Sequence, residues 1–213
     1  ALVPKITAMC PQLTIVDLRE GVSKLEMVSH HDSDGAAPHA HEAQDPHIWL
    51  DPGRVKLQAQ TIEQALSKAA PALRGVFEAN LSRFEADLEA TDQKIREIMT
   101  PYRGRKFHVF HPAYGYFADA YSLIQVPVEE GGKEPGARYL NALIDEMKAD
   151  GARVLCVQPQ YSTQSAKAIA EATGARIISL DPLAEDYLAN LEAMARDLAQ
   201  GLGEKETAHD AGG

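Results

Sequence analysis

The chain has 213 residues, enough to bury a core as one large domain or two small lobes. Its formal net charge of −10 opposes nucleic acid, whose phosphates it would repel. No apolar run reaches the length of a membrane span, so the chain is not expected to be transmembrane. Two cysteines, Cys10 and Cys156, exclude a disulfide scaffold and a cysteine-based zinc finger. Cys156 lies in the apolar run Val154-Leu155-Cys156-Val157 and reads as a buried small hydrophobe, so no bridge to Cys10 is expected. The chain starts at Ala1 without a basic, apolar leader, and reads as a processed form or a fragment.

Along the chain, Leu13 to Leu18 reads as a strand between Pro11 and Gly21. Apolar periodicity then lapses over 26–46, where His30-His31-Asp32-Ser33-Asp34-Gly35 and Pro38-His39-Ala40-His41-Glu42 read as a mobile, histidine-rich loop. Asp51-Pro52 opens a helix to about Ala70, and Pro71 fits the first turn of the next. From Leu73 to Met99, Phe77, Leu81, Phe84, Leu88, Ile95 and Met99 recur at helical spacing, with charge on the other face. A helix this long can traverse two lobes. As a coiled-coil seam it covers too few heptads.

After Pro101 strand and helix alternate. Strands are expected at 106–110, 123–128, 153–158 and 176–180, and helices at 114–121, 137–148, 163–173 and 185–200. That order predicts an α/β fold with a parallel sheet covered by helices, and a ligand site beyond the carboxyl ends of the strands. The tail, 203–213, reads as disordered.

Two histidines stand in stiff, turn-rich contexts: His47 in Asp45-Pro46-His47-Ile48-Trp49-Leu50-Asp51-Pro52, and His111 in Phe110-His111-Pro112-Ala113-Tyr114-Gly115. Asp181 follows the last strand in Leu180-Asp181-Pro182-Leu183. Two imidazoles and a carboxylate are zinc chemistry, because neutral imidazole offers a lone pair near pH 7. Each has an ordinary alternative: a histidine beside proline is often structural, and Asp-Pro after a strand is often a turn or a helix cap. His30, His31, His39 and His41 are a separate cluster suited to weak, fast metal capture, or an ordinary polar insertion. His108 reads as a packing or surface residue, and His209 lies in the tail.

These stretches, with Glu130-Gly131-Gly132-Lys133-Glu134-Pro135, Gln158-Pro159-Gln160-Tyr161-Ser162, Leu180 to Ala184 and Asp186 to Leu191, run in order from about Leu13 to Leu202. In them the chain resembles the zinc-uptake substrate-binding proteins of bacterial ABC transporters, the ZnuA-like members of the cluster A-I (TroA-like) metal receptors. The resemblance implies two α/β lobes with parallel sheets flanked by helices, joined by a long rigid helix, with metal between them. On that pattern 1–72 is a partial N-terminal lobe, 73–100 the interlobe helix and 101–202 the C-terminal lobe. Family ligands carry over to His47 and His111, with Asp181 as a further position, and the loop histidines would help to acquire zinc. Histidine at position 111, where manganese-type relatives use glutamate, implies Zn2+ rather than Mn2+, in line with the softer donor.

The family begins with a further strand-helix-strand portion carrying another histidine ligand, and this chain is expected to start after it. The N-terminal lobe would then be incomplete, the export signal absent, and the edge of Leu13 to Leu18 exposed. A water or a loop histidine would complete the metal's tetrahedron. The implied function is a zinc receptor, not an enzyme. It would be a monomer in the periplasm, or a cell-surface lipoprotein, delivering zinc to an ABC permease. The competing readings are a zinc-dependent hydrolase, with Glu130 or Glu134 as base, and a metal-binding surface adhesin of the cell-adhesion type.

Overall fold

The computed structural model describes residues 2–27, 44–129, 136–160 and 164–203. In chain order the elements are α1 (Leu2–Met9), α2 (Pro52–Ala69), α3 (Arg74–Met99), β1 (Lys106–Val109), α4 (Gly115–Tyr121) and β2 (Ile124–Pro127). They continue with α5 (Ala137–Ala149), β3 (Val154–Val157), α6 (Gln164–Thr173), β4 (Arg176–Ser179) and α7 (Tyr187–Leu202). Single 3-10 turns cover Ile48–Leu50, Pro71–Leu73 and Thr100–Tyr102. The histidine-rich stretch 28–43, residues 130–135 and the tail from 204 lie outside the described residues.

The fold is α/β, as expected. The four strands form one parallel sheet in the order β2-β1-β3-β4. Alternate residues of β3 explain its two covered faces: Val154 and Cys156 enter one core, Leu155 and Val157 the other. The first core takes Phe107 and Val109 of β1, Ile95 and Met99 of α3, Phe117 of α4, and Leu191, Met194 and Leu198 of α7. The second takes Leu143 and Met147 of α5 and Ile169 of α6. His108, between Phe107 and Val109, is buried within β1, so packing rather than surface is its place.

Local chemistry accounts for the helix boundaries. Asp51 caps α2 by accepting from the Gly53 amide at 2.8 Å, with Pro52 in the first turn, where its missing N–H costs nothing. Asp186 caps α7 through the Ala189 amide. α3 runs 26 residues, roughly 39 Å at ~1.5 Å per residue, and buries Leu88, Thr91, Ile95 and Met99 along one stripe.

The opening segment corrects one expectation and adds an element. Leu13 to Leu18 is not a strand. Its backbone makes turn bonds, Leu13 N–H to the Cys10 carbonyl and Glu20 N–H to that of Asp17. Leu13, Ile15 and Val16 stay exposed. Among the described residues no neighbouring strand supplies a ladder, and β-propensity is realised only against a partner. The nearest pairing is an isolated antiparallel bridge, Glu26 to Gln44. α1, which the sequence reading omitted, precedes this segment and buries none of its residues. Cys10 is exposed and Cys156 buried, and both are free thiols. Burial pushes the Cys156 thiol up, so it is inert at neutral pH. Among the described residues no helix is long and apolar enough to cross a membrane.

Candidate metal site

The carboxyl ends of the four strands carry the candidate residues. β1 ends into His111, β2 into Glu129, β3 into Gln158 and β4 into Asp181. The ladder extends one step past the named strands: Val128 N–H donates to Val109 at 2.8 Å and Glu129 N–H to Phe110 at 3.0 Å. That register sets Glu129 beside His111, and His111 Nδ1 lies 2.7 Å from Glu129 Oε1. Pro112 and the bond from Ala113 N–H to the His111 carbonyl turn the chain directly into α4.

His47 reaches the same place from the opposite side of the chain. Its ring centroid lies 5.4 Å from that of His111, edge-on, with the planes at 77°. Asp45 holds it twice through Oδ1, accepting from the His47 amide at 2.8 Å and contacting Nδ1 at 2.7 Å. Asp45 is buried and anchored to the C-terminal region. Tyr116 donates its hydroxyl to the Asp45 carbonyl at 3.1 Å and accepts from Leu25 N–H at 3.1 Å. Ile48, Val22 and Tyr116 form a small apolar cluster beneath it. Arg54 adds ion pairs to Asp51 and Asp119, a bond to the Ser23 carbonyl, and its guanidinium over the Tyr116 ring. Burial works against the Arg54 charge, but Asp119 and Asp51 outweigh it and raise its pKa.

Asp181 is tied to the same assembly by a different route. Trp49, whose ring meets His47 edge-on at 5.3 Å, donates its indole N–H to the Pro182 carbonyl at 2.8 Å. Tyr187 donates its hydroxyl to the Trp49 carbonyl at 2.6 Å. Asp181 Oδ1 accepts from Gln160 Nε2 at 2.8 Å and Leu183 N–H at 2.9 Å, and Asn190 holds its carbonyl at 2.7 Å.

The structure therefore brings His47 and His111 together, and links the Asp181 loop to them through Trp49. Among the described residues no three His, Cys, Asp or Glu side chains gather closely enough to hold a metal alone. His30, His31, His39 and His41, and with them Glu130 and Glu134, lie outside those residues. The sequence reading gave Asp45 and Glu129 no part. Asp45 was visible as the residue two before His47. Glu129 was visible as the acid ending the strand after His111, but that signal required knowing that β1 and β2 pair.

The family described as "Zinc-uptake complex component A periplasmic" (ZnuA) matches residues 3–201. The high-affinity zinc uptake system protein ZnuA of Yersinia pestis is 28% identical over 201 residues, 92% of this chain and 63% of that protein. A crystal structure of ZnuA superposes with a TM-score of 0.85 at 39% identity, covering 94% of this chain and 74% of the other. A zinc-bound ZnuA lacking its residues 138–173 gives 0.84 at 39% identity, covering 95% and 74%. The chain thus spans less than two thirds of the length of the Yersinia relative. With the match running through nearly all of its own length, the chain belongs to the ZnuA family.

Proposed function

We propose that this chain binds Zn2+ between His47 and His111 as the receptor of an ABC import system and passes it to a membrane permease. One observation carries the reading: two imidazoles from distant parts of the chain meet edge-on at 5.4 Å, each held at Nδ1 by a carboxylate. That arrangement supplies nitrogen donors of the kind zinc prefers over the oxygen donors that suit manganese. Asp181, whose loop Trp49 tethers, is the third ligand in this reading, with water or a histidine completing a tetrahedron. His30, His31, His39 and His41 serve as an auxiliary collecting set.

The lobe division follows the same reading: 1–72 in the N-terminal lobe, 73–100 as the connecting helix, 101–202 as the C-terminal lobe. The protein acts as a monomer. The periplasm of the family's description is its compartment, with a cell-surface lipoprotein as the variant form. Membership of a zinc-uptake family favours transport over a hydrolase or an adhesin.

The test is zinc titration against a competing chelator, using the wild type and a His47→Ala, His111→Ala double variant. The double variant is expected to lose tight binding. Equal affinity in both would refute the assigned site.

A further inference from the structure

This inference rests on the zinc reading and concerns the two carboxylates that hold the imidazoles. A neutral imidazole carries its proton on one nitrogen and offers a metal only the other. In both rings the nitrogen at a carboxylate is Nδ1, at 2.7 Å in each case. A carboxylate that accepts at this distance places the ring proton on Nδ1 and leaves the lone pair on Nε2. We propose that Asp45 and Glu129 are positioning residues that hold His47 and His111 in the Nδ1–H tautomer with Nε2 presented to zinc. The adjacent negative charge also makes the metal-facing nitrogen more basic.

The carboxylates are built in rather than incidental. Asp45 is 3% and Glu129 7% exposed, so neither pair is a solvent-screened surface contact. Each acid is fixed by bonds that do not involve its histidine ring. Asp45 N–H donates to the Leu25 carbonyl at 2.9 Å and its own carbonyl accepts from Tyr116, while Glu129 N–H is in the extended ladder. Gly115 adds a steric condition. A Cβ there would stand 2.6 Å from Asp45 Oδ2, so the carboxylate sits where only glycine leaves room. The two acids arrive from unrelated places, one from the same loop and one from a neighbouring strand, yet engage the same ring atom. In both rings Nε2 is therefore the nitrogen on the side away from the carboxylate.

Two measurements test the proposal. The first needs no variant: long-range 1H–15N correlation of the metal-free protein at alkaline pH reports the tautomer of each ring. Both are expected as Nδ1–H, and an Nε2–H form of either ring overturns the assignment for that ring. The second compares zinc affinity in Asp45→Ala and Glu129→Ala with Asp45→Asn and Glu129→Gln. The alanine variants should lose about 10–100-fold, and the amides, which keep an accepting oxygen, should recover most of it. Alanine variants that fold and bind within about twofold of wild type overturn the proposal. If an alanine variant does not fold, the tautomer measurement decides. Failure of the wild type to bind zinc would overturn the zinc reading instead, and would leave the tautomer result standing.

Discussion

The two histidines come from regions built on opposite terms. His111 stands on a sheet closed on both faces, where Phe107, Val109, Leu155, Leu143 and Ile169 are wholly or almost wholly buried. His47 belongs to a segment with little interior of its own. α1 buries nothing, Leu13, Ile15 and Val16 are exposed, and α2 and α3 leave Leu57, Ile62, Leu66 and Val76 open to solvent. The first histidine inherits its position from strand register. The second is held by two buried anchors beside it, Leu50 in the main core and Ile48 against Tyr116, and by individual tethers: Tyr116 to Asp45, Arg54 to Asp119, and Trp49 to Pro182. A ligand site can therefore be fixed on one side by strand register and on the other by two buried anchors and a few hydrogen bonds.

The contrast breaks most visibly in the cores. Phe107→Ala should cost about 3–5 kcal/mol in urea unfolding, because a fully buried ring leaves a cavity. Leu13→Ala, at a side chain 51% exposed, should change stability by less than about 0.5 kcal/mol. Comparable losses at the two positions would erase the distinction. Next come two glycines whose replacement separates site from scaffold. In Gly201→Ala the new methyl meets Val154 Cγ1 beneath α7, and in Gly115→Ala it meets Asp45. Overpacking of about 1–3 kcal/mol is expected in both, outweighing the helix propensity gained. Zinc affinity should fall only in Gly115→Ala, and an unchanged affinity there would deny Asp45 its part.

The sequence was legible where a run of residues explains itself. The four strands lie within a residue of their expected ends, because each is a short apolar run closed by proline, glycine or a polar turn. His47 and His111 stood out for the same local reason. Leu13 to Leu18 misled because alternating apolar residues describe a half-buried strand only if a partner is present. α1 was missed because eight residues containing Pro4 carry no cap signal and no long period. Asp45 and Glu129 were not assigned because their task lies in spatial neighbours: a ring nitrogen, and a strand end brought alongside by register.

Smaller effects sharpen the account of the tethers. Trp49→Phe keeps an aromatic, though smaller, ring but deletes the donor to Pro182, and should cost at least about 0.5–1.5 kcal/mol. Zinc affinity should weaken as well, if Asp181 ligates. An affinity indifferent to Trp49→Phe would detach Asp181 from the site. The smallest change concerns the contact between α3 and α7. The hydrogen bond from Lys94, with Arg196 beyond it, holds the Glu192 carboxyl below its usual range. A lowered folded-state pKa contributes stability that is complete above the ordinary glutamate value and is lost as pH falls through the lowered one. Glu192→Gln should therefore cost about 0.2–1 kcal/mol at neutral pH, with the difference vanishing in acid. A difference that grew on acidification would reverse the assigned sign. Zinc binding itself should weaken on acidification, since protons compete with the metal for nitrogen donors, and a chelator-competition series across pH measures it.

The central claim is that His47 and His111 clamp one zinc ion through Nε2. Anomalous diffraction at the zinc edge from crystals of the zinc-loaded protein tests it most directly. The account predicts a single strong peak about 2.0–2.1 Å from Nε2 of both histidines, with Asp45 and Glu129 still on Nδ1. A peak away from this pair, or coordination through Nδ1 with either carboxylate displaced, would contradict it.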